Sequence, residues 1–349
     1  MERHPIPTQA PTEATHIPIS PKPFRKVRHF GAFLICCALF VAGFSLTALW
    51  REAGTNLWHG EEDSPSKENT TPPSLQEEPP LQQAPEVVPI PEGATPIATR
   101  DLSQLFRGEE YINNQTYLTP NPAELLELDL STAPIKEPLV LVLHTHTSEG
   151  YLEEVGTYIE GDLGEVTYTR EGKRNVLAVG KAFVQALEKK GITAIHCTVM
   201  HDDPTLSGSY DRAAESIQFY REQYPSIRYV VDIHRDAILT AEGEYVRATT
   251  EVEGERIAQI LPVVGSNAGG WEHDTWEGNL ALALQLRQVL NQNDRALCRP
   301  PLLKSATYNQ EMAPFAILLE IGTGANSIDE VLAAATLAGE AFAQLIMPY

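Results

Sequence analysis

The sequence predicts an α/β protein, a three-layer sandwich with a mostly parallel central sheet, preceded by one transmembrane helix and a disordered linker. Three observations support this prediction. Short apolar runs alternate with amphipathic helical patterns after residue 138, as in a sheet covered by helices on both faces. One uncharged apolar run, residues 31–50, would be about 30 Å long as a helix and matches a bilayer core. The segment between these two regions is rich in proline.

The N-terminal part predicts a cytoplasmic tail, 1–28, and a transmembrane helix, 29–50. The tail carries a net charge of +3. Because the whole chain carries −21, the rest of the chain carries −24. Basic residues beside a span mark its cytosolic side, so we expect a single-pass cell-membrane protein with an extracytoplasmic C-terminal domain. A cleaved signal peptide is the alternative, but the apolar run is longer than the 7–15 residues usual for a signal core.

Residues 51–99 predict a disordered linker. Nine prolines lie between residues 59 and 98 among Glu, Gln, Ser and Thr, a composition that cannot build a core and favours an extended spacer. The folded domain is therefore expected over 100–349. The acidic balance of this region argues against a nucleic-acid partner, because phosphate binding needs a basic face.

Within the domain, strands and helices are predicted in alternation. One helical stripe, formed by Val176, Val179, Phe183 and Leu187, predicts a helix that ends near Gly191. Further helices are expected over 211–224, 275–291 and 327–346. Apolar runs predict strands over 138–143, 192–200, 229–233, 246–252, 257–264 and 315–321.

Three polar clusters stand at the ends of three of these strands. They are His144-Thr-His146-Thr-Ser-Glu149, then Asp232-Ile-His234-Arg235-Asp236, and finally Glu320. The carboxyl ends of strands in such a sheet converge on one crevice, where ligands bind. Residues that are far apart in the sequence are therefore expected to meet there.

The spacing of these residues points to zinc. A catalytic Zn²⁺ takes three nitrogen or oxygen ligands and binds a water whose pKa falls to about 7. We expect His146, Glu149 and His234 to bind the metal and Glu320 to act as the general base. His144 is the alternative ligand to His146, in a different register. A metal-free cluster of hydrogen-bonded groups is the remaining alternative.

Other candidate residues have weaker support. Asp232 could orient a histidine ring, and Arg235 could stabilise an oxyanion or bind a substrate carboxylate, although an ordinary salt bridge would account for either. The sequence contains no G-x-S-x-G elbow and no phosphate-binding loop, which disfavours serine and nucleotide hydrolysis. Cys197 and Cys298 could form at most one disulfide, and the sequence leaves their pairing open.

Several segments, taken in order, resemble one known family. HTHTSEGY (144–151), VVDIHRDA (230–237) and LLEIGTGANSIDEV (318–331) resemble the stage II sporulation protein P family over about residues 138–347. The resemblance implies a zinc-dependent N-acetylmuramoyl-L-alanine amidase with a fold similar to zinc exopeptidases and amidases. It also implies peptidoglycan as the substrate and engulfment, between the mother-cell and forespore membranes, as the setting.

In some members of the family, cross-links between stem peptides are cleaved as well. The resemblance further implies stage II sporulation proteins D and M as partners. Two other classes of protein remain open on the sequence. One is a zinc carboxypeptidase acting on stem peptides, and the other is a non-catalytic scaffold that binds the cell wall.

Overall fold

A computed structural model describes residues 89–103 and 111–347. The expected cytoplasmic tail and transmembrane helix, and most of the linker, lie outside these residues. Within them, no helix combines the length and apolar character needed to cross a membrane.

The described residues contain eleven strands and six α-helices. The strands are β1 (Ala94–Arg100), β2 (Asn113–Asn114), β3 (Val140–Leu143), β4 (Tyr158–Glu160), β5 (Ala194–His196), β6 (Tyr229–Asp236), β7 (Tyr245–Val252), β8 (Glu255–Ala258), β9 (Ile260–Gly265), β10 (Leu302–Lys304) and β11 (Phe315–Thr323). The helices are α1 (Pro122–Leu126), α2 (Leu163–Thr167), α3 (Val176–Lys189), α4 (Ser209–Gln223), α5 (Trp276–Leu290) and α6 (Ile328–Ile346).

A seven-stranded sheet in the order β2-β10-β9-β11-β6-β3-β5 forms the centre of the fold. Every neighbouring pair in it is parallel except β9 and β11, which are antiparallel. The expected mostly parallel sheet is therefore confirmed, with one reversal of direction in its middle.

Helices cover both faces of this sheet. On β3, Val140 and Val142 pack into the larger core with α3, α5 and α6, whereas Leu141 and Leu143 pack against α4 on the opposite face. Successive side chains of a strand point to opposite faces, so a strand buried on both sides is apolar throughout. This arrangement confirms the three layers.

A second sheet, which the sequence pattern did not predict, has the order β4-β1-β7-β8. Its strand β1 pairs in parallel with β7 and antiparallel with β4. Strand β1 therefore occupies the last residues of the expected disordered linker, a few residues before the expected boundary at residue 100.

The single strand expected over 257–264 is wrong, because the chain divides there between the two sheets. Gln259 lies at the division, and its buried side chain accepts a hydrogen bond from the Leu102 amide and donates one to Asp101 Oδ1. The residues on either side belong to β8 and β9 and are largely buried. An apolar run of this kind does not reveal that its two halves join different sheets.

The strand expected over 192–200 is also shorter, since β5 contains only Ala194–His196. The chain beyond it hydrogen-bonds to the loop that follows β3: the hydroxyl of Thr147 donates to the Val199 carbonyl and accepts from the His201 amide. Cys197 and Cys298 are both buried free thiols.

Candidate active site

The floor of the candidate site is formed by β6 and β11, which are adjacent and parallel. His234 and Glu320 are partners in the register of these strands. Val230 and Ala316 pack on the α4 side of the sheet, so the alternation of each strand puts Asp232, His234 and Glu320 on that same side.

His234 is buried between two carboxylates. Its Nδ1 lies 3.4 Å from Glu149 Oε2, and its Nε2 lies 3.0 Å from Asp232 Oδ1. The second contact is outside hydrogen-bonding angles and leaves Nε2 buried without a hydrogen-bond partner. Burial would lower the pKa of His234, but the charges of Asp232 and Glu149 outweigh it and hold this pKa well above its usual value.

Asp232 is fixed from the other side by the loop that follows β3. Its two carboxylate oxygens accept hydrogen bonds from the Thr145 amide at 2.9 Å and the Thr145 hydroxyl at 2.6 Å. Burial opposes ionisation, but His234 and the Thr145 donors outweigh it and keep the pKa of Asp232 below its usual value. Asp232 is therefore placed to orient the ring of His234.

Glu149 is oriented by the backbone of β6. The amide of Arg235 donates to Glu149 Oε2 at 3.1 Å. Burial raises the pKa of Glu149, but His234 and then His146 outweigh it, and the result lies below the usual value. The carboxylate is therefore ionised at neutral pH.

His146 completes the cluster from the loop after β3. Its ring is perpendicular to that of His234 with centroids 5.1 Å apart, and its Nδ1 lies 3.3 Å from Ser209 Oγ at the start of α4. Burial lowers its pKa, which favours the neutral imidazole that binds metals. The structure thus brings the three expected ligands together.

Glu320 lies beside this cluster with one oxygen unsatisfied. Its Oε2 is buried and has no hydrogen-bond partner. Burial raises the pKa of Glu320 to about 8; His234 opposes this shift, whereas Asp236 and Glu149 add to it. A carboxyl group with a pKa near neutrality is suited to exchange protons during a reaction.

His144 is not brought into the cluster. It is fully buried, with Nδ1 at 2.9 Å from the Ile233 carbonyl and Nε2 at 2.9 Å from His196 Nε2. Helix α3 approaches the ring closely, because a Cβ at Gly180 would lie only 2.5 Å from His144 Nε2. Both ring nitrogens are thus engaged away from the site.

The side chain of Arg235 also points away from the cluster. Its guanidinium donates to Thr167 Oγ1 at 3.1 Å, and the alternation of β6 places it on the face opposite His234. What Arg235 supplies to the site is its backbone amide.

Two features of the site were not predicted from the sequence. The ring of Tyr210 stands perpendicular to that of His146 with centroids 5.6 Å apart. Arg299, which is buried, donates to Asp236 Oδ2 at 2.8 Å and acts electrostatically on Glu320. Tyr210 follows Ser209 at a helix start, a position that could have been weighed, whereas nothing near Arg299 in the sequence relates it to Asp236.

Within the described residues, no group of three or more His, Cys, Asp or Glu side chains converges closely enough to hold a metal ion as placed. The donor set nevertheless suits zinc, since two imidazoles and one carboxylate contact one another. The Nε2 of His234 faces Asp232 Oδ1 and its Nδ1 faces Glu149 Oε2, so Nδ1 is the ring nitrogen on the side of the other proposed ligands. The residues present therefore fit a zinc ion.

Fold and site together define an α/β domain with a histidine and carboxylate cluster at the carboxyl ends of parallel strands. The family model of Stage II sporulation protein P (SpoIIP) matches residues 59–343. The chain belongs to this family, which confirms the resemblance seen in the sequence.

A curated relative is the Stage II sporulation protein P of Bacillus subtilis (strain 168), 27% identical over 218 residues, which cover 59% of this chain and 51% of the relative. The chain thus matches about half the length of that relative.

Among solved structures, the N-acetylmuramoyl-L-alanine amidase AmiC2 of Nostoc punctiforme is 19% identical with a TM-score of 0.32, covering 60% of this chain and 94% of that one. The CwlD amidase from Clostridioides difficile, solved in complex with the GerS lipoprotein, is 14% identical with a TM-score of 0.34, covering 60% and 95%.

Proposed function

We propose that this protein is a cell-wall hydrolase of sporulation that cleaves the amide between N-acetylmuramic acid and the stem peptide of peptidoglycan. The observation that carries the proposal is the contact of His146, Glu149 and His234 beside the buried, unsatisfied carboxyl of Glu320. The membership of the chain in the stage II sporulation protein P family supports the biological setting.

In this proposal His146, Glu149 and His234 hold a zinc ion. When bound, zinc polarises the scissile carbonyl and lowers the pKa of water. Asp232 keeps the ring of His234 in place, and the amide of Arg235 keeps Glu149 in place. Such outer contacts fix the orientation of ligands before a metal arrives.

Glu320 moves the protons. In its ionised form, the carboxyl of Glu320 accepts a proton from the attacking water at Oε2, and it then gives that proton to the departing amine of the stem peptide. The raised pKa serves both steps, because a group that titrates near the working pH can take and return a proton.

The proposal includes the setting of the enzyme. A transmembrane helix over 29–50 would hold the domain outside the cytoplasmic membrane, and the proline-rich linker would let it reach an immobile wall. Stage II sporulation proteins D and M belong to the proposal as partners, since the resemblance implies them. Cross-link cleavage between stem peptides would be a second activity of the same site.

The proposal is tested by digesting purified peptidoglycan with the full-length protein in detergent, with and without added zinc. We expect free L-alanine amino termini on released peptides, intact glycan strands, and no release in the presence of a chelator. Release of single C-terminal amino acids would identify a carboxypeptidase instead. Wall binding without any release would identify a scaffold, and either result would contradict the proposal.

A further inference from the structure

A row of aromatic rings leads away from the histidine cluster. The ring of Tyr210, half-buried in the first turn of α4, lies between those of His146 and Tyr308, with centroid distances of 5.6 Å and 6.1 Å. Tyr308 is half-buried on the loop after β10. His146, Tyr210 and Tyr308 are all partly exposed, so the row is accessible to solvent beside the site.

The backbone at the outer end of the row is strained. Tyr308 and its neighbour Asn309 have φ angles of 54° and 59°, in the left-handed region that side chains with a Cβ rarely adopt. Each such residue costs on the order of 1–2 kcal/mol. Two in succession persist only where the surrounding structure holds them, and strain of this kind concentrates at functional sites.

The surrounding structure holds this loop from two sides. The side-chain amide of Asn309 donates to the Tyr210 carbonyl at 2.8 Å, which ties the loop to α4. The buried side chain of Gln310 accepts from the Gly265 amide and donates to the Val263 carbonyl, both at 2.9 Å, which ties it to β9. These hydrogen bonds to α4 and β9 hold the backbone of Tyr308 and Asn309 in the left-handed conformation.

We propose that Tyr308, supported by Tyr210, forms a substrate-binding wall that packs against a sugar ring of the glycan. This inference deepens the proposed function and rests on it. The aromatic rings are uncharged, whereas the neighbouring floor carries the carboxylates of Glu149 and Asp232. An uncharged sugar, whose C–H face can pack on an aromatic ring, suits this uncharged surface.

The test compares variants of the full-length protein for binding to purified glycan strands freed of stem peptides, and for hydrolysis of intact peptidoglycan. Tyr308→Gly removes the ring, and glycine adopts the same φ without strain, so the fold should survive. We expect at least tenfold weaker glycan binding and a KM raised at least tenfold, with kcat within threefold and zinc content unchanged. Tyr308→Phe keeps the ring and should stay within threefold of wild type in every measurement.

Tyr117→Gly serves as the matched control, because Tyr117 is 76% exposed outside the row; it should change nothing. Glycan binding by Tyr308→Gly within twofold of wild type would overturn the inference, as would wild-type protein that binds free stem peptides but not the stripped strands. Wild-type protein that binds the strands through Tyr308 but releases no peptide from the wall would keep the inference and contradict the proposed hydrolysis.

Discussion

His234 and Glu320 lie opposite each other on adjacent parallel strands, on the same face of the sheet. The histidine is charged by its carboxylate neighbours, whereas the glutamate has a buried oxygen that nothing satisfies. The surroundings raise the pKa of both groups, that of His234 through its carboxylate neighbours and that of Glu320 through burial, and strongly perturbed pKa values are a frequent sign of acid and base chemistry. The register of β6 and β11 therefore sets the geometry of the site.

The zinc content of alanine variants distinguishes the expected ligands from His144. His146→Ala and His234→Ala should each remove zinc from the purified protein, because each deletes one imidazole of the cluster. His144→Ala should keep the zinc, since its ring nitrogens face Ile233 and His196. The measurement is the number of zinc ions per protein molecule, determined by atomic absorption. Loss of zinc in His144→Ala with retention in His146→Ala would show that His144, and not His146, is the ligand.

Glu320 should make the stability of the metal-free protein depend on pH. Burial raises its pKa from an ordinary 4.5 to about 8, so the folded state keeps a proton that the unfolded chain has lost. Stability should therefore fall as the pH rises from about 4.5 to about 8. Glu320→Gln removes this loss and should raise the free energy of unfolding at pH 8 by on the order of 4 kcal/mol, with little change at pH 4.5.

Urea unfolding in the presence of a chelator measures this effect, with Glu188→Gln as the matched control because Glu188 is an exposed carboxylate on α3, outside the site. If the free energies of unfolding of wild type and Glu320→Gln differ by the same amount from pH 4.5 to pH 8, the result would contradict a raised pKa at Glu320.

The close approach of α3 to the buried histidines should make Gly180 sensitive to substitution. A Cβ there would lie 2.5 Å from His144 Nε2 and 2.7 Å from His196 Nε2, so Gly180→Ala should destabilise the fold by roughly 1–3 kcal/mol. At Gly172 a new Cβ would meet only the Leu177 side chain at ordinary distance. Equal midpoints for Gly180→Ala and Gly172→Ala in thermal unfolding would show that α3 does not pack as described.

Local patterns predicted the parts of the fold that depend on neighbouring residues. The stripe from Val176 to Leu187 lies in α3, whose Asn175 accepts a hydrogen bond from the Leu177 amide as its N-cap. The positions at which the apolar strands end predicted that Asp232, His234 and Glu320 would lie close together, because parallel strands bring their carboxyl ends to one edge of a sheet. Such inferences need only the period of the pattern and the direction of the strands.

Features that depend on distant partners were not predictable in this way. Strand β1 is stabilised by pairing with β7, which lies well over a hundred residues later, and its own proline content resembles that of the linker. The apolar run that contains Gln259 does not show that it serves two sheets. Tyr308 looks like an ordinary loop residue in the sequence, because its left-handed backbone is imposed by contacts to α4 and β9.

The central claim is that Glu320 performs the proton transfer without holding the metal, and Glu320→Gln tests it most directly. The amide keeps the shape of the side chain and removes the carboxylate. General-base catalysis contributes on the order of 10²–10⁴ in rate. We predict that this variant folds, retains the zinc content of wild type, and releases peptides from purified peptidoglycan at least a hundredfold more slowly. Loss of zinc, or release at close to the wild-type rate, would contradict the account.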